Sequence, residues 1–481
     1  MKRAIVWLLL AALLAACAAG VPTATQTEPS FPSIPSASPT SPQPTVEATV
    51  VTSRPHTPAY YTLNVNFDYA THYLSVDEII EYTNNSADSL SEVQLVVEAD
   101  RSGAGFDLLD LKANGSSITL PELSQGILRV PLQTALEPGQ AVTLEIEFGV
   151  ALSPGPGVLH WTQRQKNFVD WYPYIPPYVS GQGWLMHEGG QVGEHGVYES
   201  ADFDVHIKVV NAPASLSLAT PALGIANGEG WDYRLHNARR FVWSAGGQYQ
   251  QLHSQQDGVP ISIYFFEEQR DAAEASLEVA KQALGIYGEL YGPYSYESLA
   301  IVEAEFADGM ESDGLFFLDQ FYFQSYSYDR RNYLTALTAH EIAHNWWFGQ
   351  VGNDQALEPW LDEALCIYSE LLYYEKAYPE LVEWWWEFRI DRFRPVGWVN
   401  STIYEFTQFS PYVHAVYMRG AQFLHAVRGA LGDEAFFAFL RAWAEEGAGK
   451  IVTAEDFFTL LRQYGDAELD PIIGEYFVPP N

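Results

Sequence analysis

Two histidines and two glutamates dominate the chemistry available to this chain. His340, Glu341 and His344 form a His-Glu-x-x-His string within TALTAHEIAHNWWFGQ, residues 335 to 350. Residues four apart on a helix stand one above the other, so the two imidazoles face a common point. Imidazoles at that spacing make half of a zinc site, and Glu341 beside them has the reach of a general base for a water. A catalytic zinc needs a third protein ligand and an open fourth position. Glu363, in PWLDEALCIYSE, offers the third after eighteen intervening residues, enough to leave one helix, turn and enter another. Gly349 and Gly352 supply the expected break after the first helix, and Pro359 suits the first turn of the second. These residues imply a hydrolase with one zinc ion held by His340, His344 and Glu363.

HEIAHNWWFGQ and WLDEALCIYSE resemble the paired zinc motifs of the gluzincin aminopeptidases, the membrane alanyl aminopeptidase and leukotriene hydrolase group. The resemblance runs over most of the chain after about residue 60 and is strongest between 300 and 440. Asp362 stands where many members carry Asn, and Ala364 where many carry Gly; neither is a ligand position. Two further assignments follow from the resemblance alone. Gly309-Met310-Glu311 resembles the family's exopeptidase motif, with Ser312 in place of the usual Asn. There the Glu is implied to bind the substrate's free α-amino group, while the strand backbone pairs with the peptide. Tyr417, in Tyr417-Met418-Arg419-Gly420, falls where the family keeps a tyrosine that donates to the transition-state oxyanion; Tyr412 is its nearest rival. The family's upstream amine-binding segment has no counterpart in the β region, where WYPYIPPY stands instead. The implied activity is removal of N-terminal residues from peptides with a free amine. An endopeptidase on the same zinc, or a lipoprotein that only binds peptides, are the alternatives; retention of all three ligands and the base speaks against the last.

The elements that must position these groups fall into two patterns. From about 58 to 252 short alternating runs read as strands, among them YYTLNVNFDY, YLSVDEIIEYTN, AVTLEIEFGV and FDVHIKVV. Asn84-Asn85, Asn114-Gly115 and Pro138-Gly139 mark turns between them. An all-β sandwich or saddle domain is expected there. From 253 to 481 strands and helices mix: ISIYFFEE and SLAIVEAEF as strands, DAAEASLEVAKQALGIYGELYG as a helix ended at Gly292-Pro293. The fold class is thus α+β and multidomain, an N-terminal β domain followed by a thermolysin-like catalytic domain. Helices are also expected over LLYYEKAYPELVEWWWEF, FRIDRFRPVGW and the segment opened by Thr453. The stretch from 364 to 481 leaves room to finish such a domain but not for the large helical domain many relatives add, which implies a more open cleft.

The outer parts of the chain carry an address. Lys2 and Arg3 precede an apolar run too short to span a bilayer, and Leu14-Ala15-Ala16-Cys17 resembles a bacterial lipobox. Residues 1–16 then form a signal peptide, Cys17 is lipidated, and 18–57, rich in Pro, Ser and Thr, make an unstructured spacer. The enzyme would be anchored to the membrane outside the cytoplasm. With 61 acidic against 25 basic residues the net charge is −36, which excludes binding to a phosphate backbone. Cys366 is read as a small buried helix residue. His187 and His195, beside Glu188 and Glu194 in a Pro- and Gly-rich loop, are read as packing or surface groups and not as a second metal site. His414 and His425 are read as structural, and Phe316 and Phe317 as a hint of an apolar first side-chain pocket. Nothing in the sequence sets the oligomeric state.

Overall fold

The computed structural model describes residues 57–119, 121–306, 308–465 and 468–478. The signal peptide, Cys17 and the spacer lie outside them. Among the described residues no helix is long and apolar enough to cross a membrane.

The alternating runs become strands in register. Ala59–Asp68 lies between Tyr73–Thr83, antiparallel, and Ala201–Val210, parallel, and Tyr73–Thr83 pairs in turn with Ala141–Ala151. These strands are the centre of an eight-stranded sheet. Leu63, Val65, Leu74, Val76, Leu144 and Ile146 are all buried on its inner face, as a period of two requires. The second covering layer comes from Leu90–Val96 with Ile127–Leu136, and from a smaller five-stranded sheet containing Gln165–Phe168 and Trp243–Gly246. The alternating run EVQLVVEAD, which reads as a strand throughout, is one only as far as Val96; Glu98–Arg101 is instead a single helical turn.

The catalytic part is built on a second five-stranded sheet. Its order is Gln250–Gln256, Val259–Phe265, Leu299–Ala304, Leu315–Asp319 and, at the edge, the two-residue strand Gly309–Met310. The three central strands run parallel; Leu299–Ala304 and Leu315–Asp319 are mostly apolar and buried on both faces, while Val259–Phe265 buries one. The long helix Arg270–Tyr291 packs on this sheet and against Tyr333–Ala343, the helix of the His-Glu-x-x-His string. That second helix is buried on nearly every side, which its run of Ala, Thr and Leu permits, and Asn332 caps it by accepting from the Thr335 N–H at 2.9 Å.

Two boundary expectations are corrected. The histidine helix stops at Ala343 with His344 as its C-cap, before either glycine; the turn that follows is closed by backbone bonds such as Trp347 N–H to Ala343 O. FRIDRFRPVGW is not a continuous helix: Val382–Arg389 ends at its second residue and only Asp391–Phe393 winds briefly after it, because Pro395 and Gly397 follow at once. Trp360–Ala377, with Pro359 at its N-cap, carries Glu363, and Thr453 caps Ala454–Leu461 in a reciprocal pair with Asp456.

Candidate active site

His340 Nε2 and His344 Nε2 lie 3.3 and 3.7 Å from the same carboxylate oxygen, Oε2 of Glu363. Each ring is fixed from behind. His340 Nδ1 meets Glu370 Oε1 at 3.1 Å, and His344 Nδ1 donates to the Trp347 carbonyl at 3.1 Å. Both Nε2 atoms are therefore turned inward with their tautomers set by a second partner. Glu370 is itself locked by two 2.7 Å bonds from Arg389 and one of 3.1 Å from Trp385. The three donors lie within 4.8 Å of one another and are buried. Burial alone would lower the pKa of His340, but Glu363 and Glu370 outweigh it and push it up to about 10. The pocket thus draws positive charge to the point between these side chains. Two imidazoles and one carboxylate converging there, with one side open to a cavity of about 570 Å³, suit a tetrahedral zinc ion.

Glu341 points into the same cavity. Its Oε2 is buried without a hydrogen-bond partner. Burial raises its pKa well above the carboxylate range, Glu311 and Glu363 add to that, and His340 opposes it. The edge strand Gly309–Met310 runs so close that a methyl on Gly309 would collide with the Glu341 carboxylate. Glu311 follows that strand and, with Glu341 and His344, forms a second cluster whose ligand-type atoms are within 4.8 Å. It is not the turn carboxylate that its neighbours Asp308 and Asp313 would suggest. Asp313 instead accepts from Tyr296 and the Arg240 N–H, and Asp308 from Tyr322.

Four side chains that the sequence left unassigned surround Glu311. Arg240 is buried between the rings of Tyr198 and Phe348, donates to the Glu311 carbonyl at 2.6 Å and stands 3.7 Å from its carboxylate. Asp170 holds Arg240 from the far side at 3.4 Å. Glu194 shares a proton with Glu311. Burial would raise both acids, yet the Glu194 proton, His344 and Arg240 hold Glu311 down to about 2, while burial and the Glu311 charge keep Glu194 protonated. Gln355 donates to both, at 2.8 Å to Glu194 and 3.0 Å to Glu311. Glu194 arrives on the 188–198 loop, where Gly193 has φ +71° and a side chain would also strike Ile403 and Tyr412. No spacing rule links these residues, since they come from four separate segments. Glu370 was the exception: seven residues after Glu363, it lies on the same helical face two turns on.

Tyr417 donates to Glu363 Oε1 at 2.5 Å and its ring is parallel to that of His340. It sits in a π-helical stretch, His414–Met418, of the kind often found at functional sites. Tyr412 is buried and packs edge-on against Tyr417, behind it as seen from the ligands. His425 packs on Trp386 as a structural group, whereas His414 lines the cavity beside Tyr417. Phe316 and Phe317 are wholly buried in the sheet and do not line the cavity of the ligands, which corrects that hint. His187 pairs with Asp354 at 2.8 Å and His195 with Glu98 at 3.3 Å, so they hold no shared ion. Cys366 is buried, with its thiol near the Trp347 carbonyl. A second cavity of about 690 Å³ opens past Glu194 and Met310, walled by Val158, Leu159, Val169 and Tyr198.

Fold and site together define the class of the catalytic part, a gluzincin metallopeptidase domain. Residues 275–476 match the Peptidase family M1 domain. It is similar to human endoplasmic reticulum aminopeptidase 2, 30% identical over 132 residues that are 26% of this chain and 14% of that one. It is also similar to rice aminopeptidase M1-D, 23% identical over 225 residues, 43% of this chain and 25% of the other. The chain therefore spans a quarter or less of the length of these relatives. An M1 zinc metallopeptidase structure from Deinococcus radiodurans shares the fold, with a TM-score of 0.62 and 17% identity over 88% of this chain and 94% of that one.

Proposed function

We propose that this protein is a zinc-dependent aminopeptidase that removes N-terminal residues from peptides. The observation that carries the reading is Glu311, an ionised carboxylate on an edge strand in one cluster with His344 and Glu341. A carboxylate at that fixed distance from the ligands measures off one residue from a cationic N-terminus.

His340, His344 and Glu363 would hold the ion. When bound, zinc supplies Lewis-acid chemistry, polarising a carbonyl and lowering the pKa of a water. The rest falls to the chain. The edge strand at Gly309 and Met310 offers backbone groups to an extended peptide, and Glu311 binds its ammonium. Glu341 takes the attacking water's proton at its unpartnered Oε2 and passes it to the departing amine. Tyr417 turns its hydroxyl from Glu363 to the developing oxyanion, adding a donor without a competing charge. Arg240 keeps Glu311 ionised throughout.

The test uses paired fluorogenic aminoacyl substrates, free or acetylated at the amine, with zinc content measured for each variant. Wild type cleaves the free-amine substrate alone. Glu341→Gln keeps its zinc and loses activity by on the order of a thousandfold, and Glu311→Ala raises KM more than it lowers kcat. Equal cleavage of the acetylated substrates would replace this reading with an endopeptidase. We also propose, from the lipobox, that Cys17 carries a lipid anchor outside the cytoplasm; Cys17→Ser should move the protein from the membrane to the soluble fraction.

A further inference from the structure

The edge strand gives a bound peptide a direction. Gly309 pairs with Leu318 and Met310 with Phe317, antiparallel, and the Asp319 N–H donates to the Asp308 carbonyl at 2.8 Å. Going back along the edge from Glu311 to Asp308 therefore leads to the end of Leu315–Asp319, where the short helix Gln320–Gln324 begins. Those three steps of extended chain cover about 10 Å. A peptide held by its ammonium at Glu311 and laid along this edge brings its second residue towards Phe321, the second residue of that helix.

Phe321 lines the cavity of the ligands yet is 59% exposed. Phe409 is 50% exposed and lines the same cavity from the segment that leads to Tyr417. Single apolar side chains on a surface are ordinary, but a group of them at the mouth of one cavity marks a place for a ligand. Behind the two rings, Tyr333 and Phe393 carry the apolar lining inward, and Leu337, one helical turn before His340, ends it beside the first metal ligand. Arg389, the guanidinium in this lining, is committed to Glu370, while Asp308 and Asp319 stand at the Phe321 side.

We propose that Phe321 and Phe409 form an aromatic subsite for the side chain of the substrate's second residue. The enzyme then favours peptides whose second residue is large and apolar and disfavours those with an acidic one. This rests on the aminopeptidase reading for the place of the N-terminus, and deepens it. A phenyl group entering between the two rings withdraws apolar surface on both partners from water and gains ring-to-ring attraction. A carboxylate in the same place loses hydration and meets the like charges of Asp308 and Asp319. The subsite lies away from the reacting atoms, so it holds substrate and transition state alike and acts through KM.

The test is hydrolysis of the tripeptides Leu-X-Gly by zinc-loaded protein, with X as Phe, Ala or Asp and the released leucine measured. Wild type should favour Phe over Ala by about tenfold or more in kcat/KM, mainly through KM, and take Asp worst. Phe321→Ala and Phe409→Ala should each bring the Phe to Ala ratio within about threefold, and Phe321→Leu and Phe409→Leu should keep most of it. Misfolding or a loosened metal site lowers all three substrates together and leaves the ratio at its wild-type value. A wild-type ratio in both alanine variants therefore overturns the subsite, as does a wild type that cleaves the Phe and Ala peptides alike. Acetyl-Leu-Phe-Gly tests the reading beneath: cleavage as fast as that of the free tripeptide overturns the aminopeptidase assignment, independently of any preference at X.

Discussion

Glu78 is a carboxyl group with nothing to bond. It sits mid-strand, facing inward between Leu63 and Ile146, and neither of its oxygens has a partner among the described residues. Burial raises its pKa well above the usual carboxylate value. The ionisable groups near it are Tyr61, on the neighbouring strand, and Tyr172, neither of which is basic. A raised folded pKa means the folded chain holds a proton that the unfolded chain releases above about pH 4.5. Stability is then fully present below that pH and lost as pH rises towards the folded value. Glu303 acts with the same sign: burial pushes it up to about 7, against one hydrogen bond from the Phe266 N–H, so its contribution is lost between about pH 4.5 and 7. Glu78→Leu is therefore expected to stabilise the protein at pH 8 by about 1–3 kcal/mol, with the gain shrinking at pH 5. Urea unfolding at the two pH values checks this, and a loss of stability at pH 8 would show that Glu78 has a partner in solution. The pattern of this strand reveals Glu78 as a core position, because Leu74, Val76, Ile80 and Tyr82 share its parity.

Between elements, the metal ligands depend on helices that carry no ligand. Val382–Arg389 brings Trp385 and Arg389 onto Glu370, which in turn orients His340. Arg389→Met should leave Glu370 a buried charge held only by the Trp385 indole and the His340 ring itself, and slacken that ring. Zinc affinity is expected to fall about 10–100-fold in competition with a chelator; unchanged affinity would show that Glu363 and His344 suffice to hold His340. The helix Arg419–Leu431, which follows Tyr417, is set by a different contact. A methyl on Gly420 would overlap the Cβ of Ala364, one residue beyond the ligand Glu363. Gly420→Ala should push that helix and Tyr417 off Glu363 and lower kcat by about tenfold or more. Ala364→Gly in the same chain should restore it, and failure of that rescue would place the damage elsewhere. The ligand triad was legible because it obeys helical spacing. The Trp385–Glu370–Arg389 lock and the Gly420–Ala364 contact were not, because they join helices whose relative packing no local pattern encodes. Gly349 misled for the opposite reason, a strong local stop signal standing where tertiary contacts had already ended the helix.

At the scale of the whole molecule, two hydrophobic cores meet at a pair of arginines that follow the strand Gly230–Ala238. Arg240 supports Glu311, as described. Arg239 is buried and donates to five backbone carbonyls, those of Tyr198, Phe348, Gly349, Gln350 and Lys450. Three of them form the turn that leaves His344, so the β region secures the loop on which a metal ligand rests. The sequence conveyed the two patterns of periodicity on either side of about residue 252. It did not convey this clamp, since an arginine pair at a strand end reads as solvated surface. Charge-assisted bonds from one buried guanidinium to several carbonyls couple the parts they join, because removing the donor orphans all the acceptors together. The β and catalytic parts are therefore expected to unfold in one transition, with far-ultraviolet dichroism and tryptophan fluorescence coincident across a urea series. Arg239→Met should cost about 3 kcal/mol or more and separate the two signals, the catalytic part melting first with loss of zinc. Coincident curves in that variant at nearly wild-type midpoints would mean that the apolar contacts of Phe348 and Tyr296 with the β core hold the two parts together without the clamp.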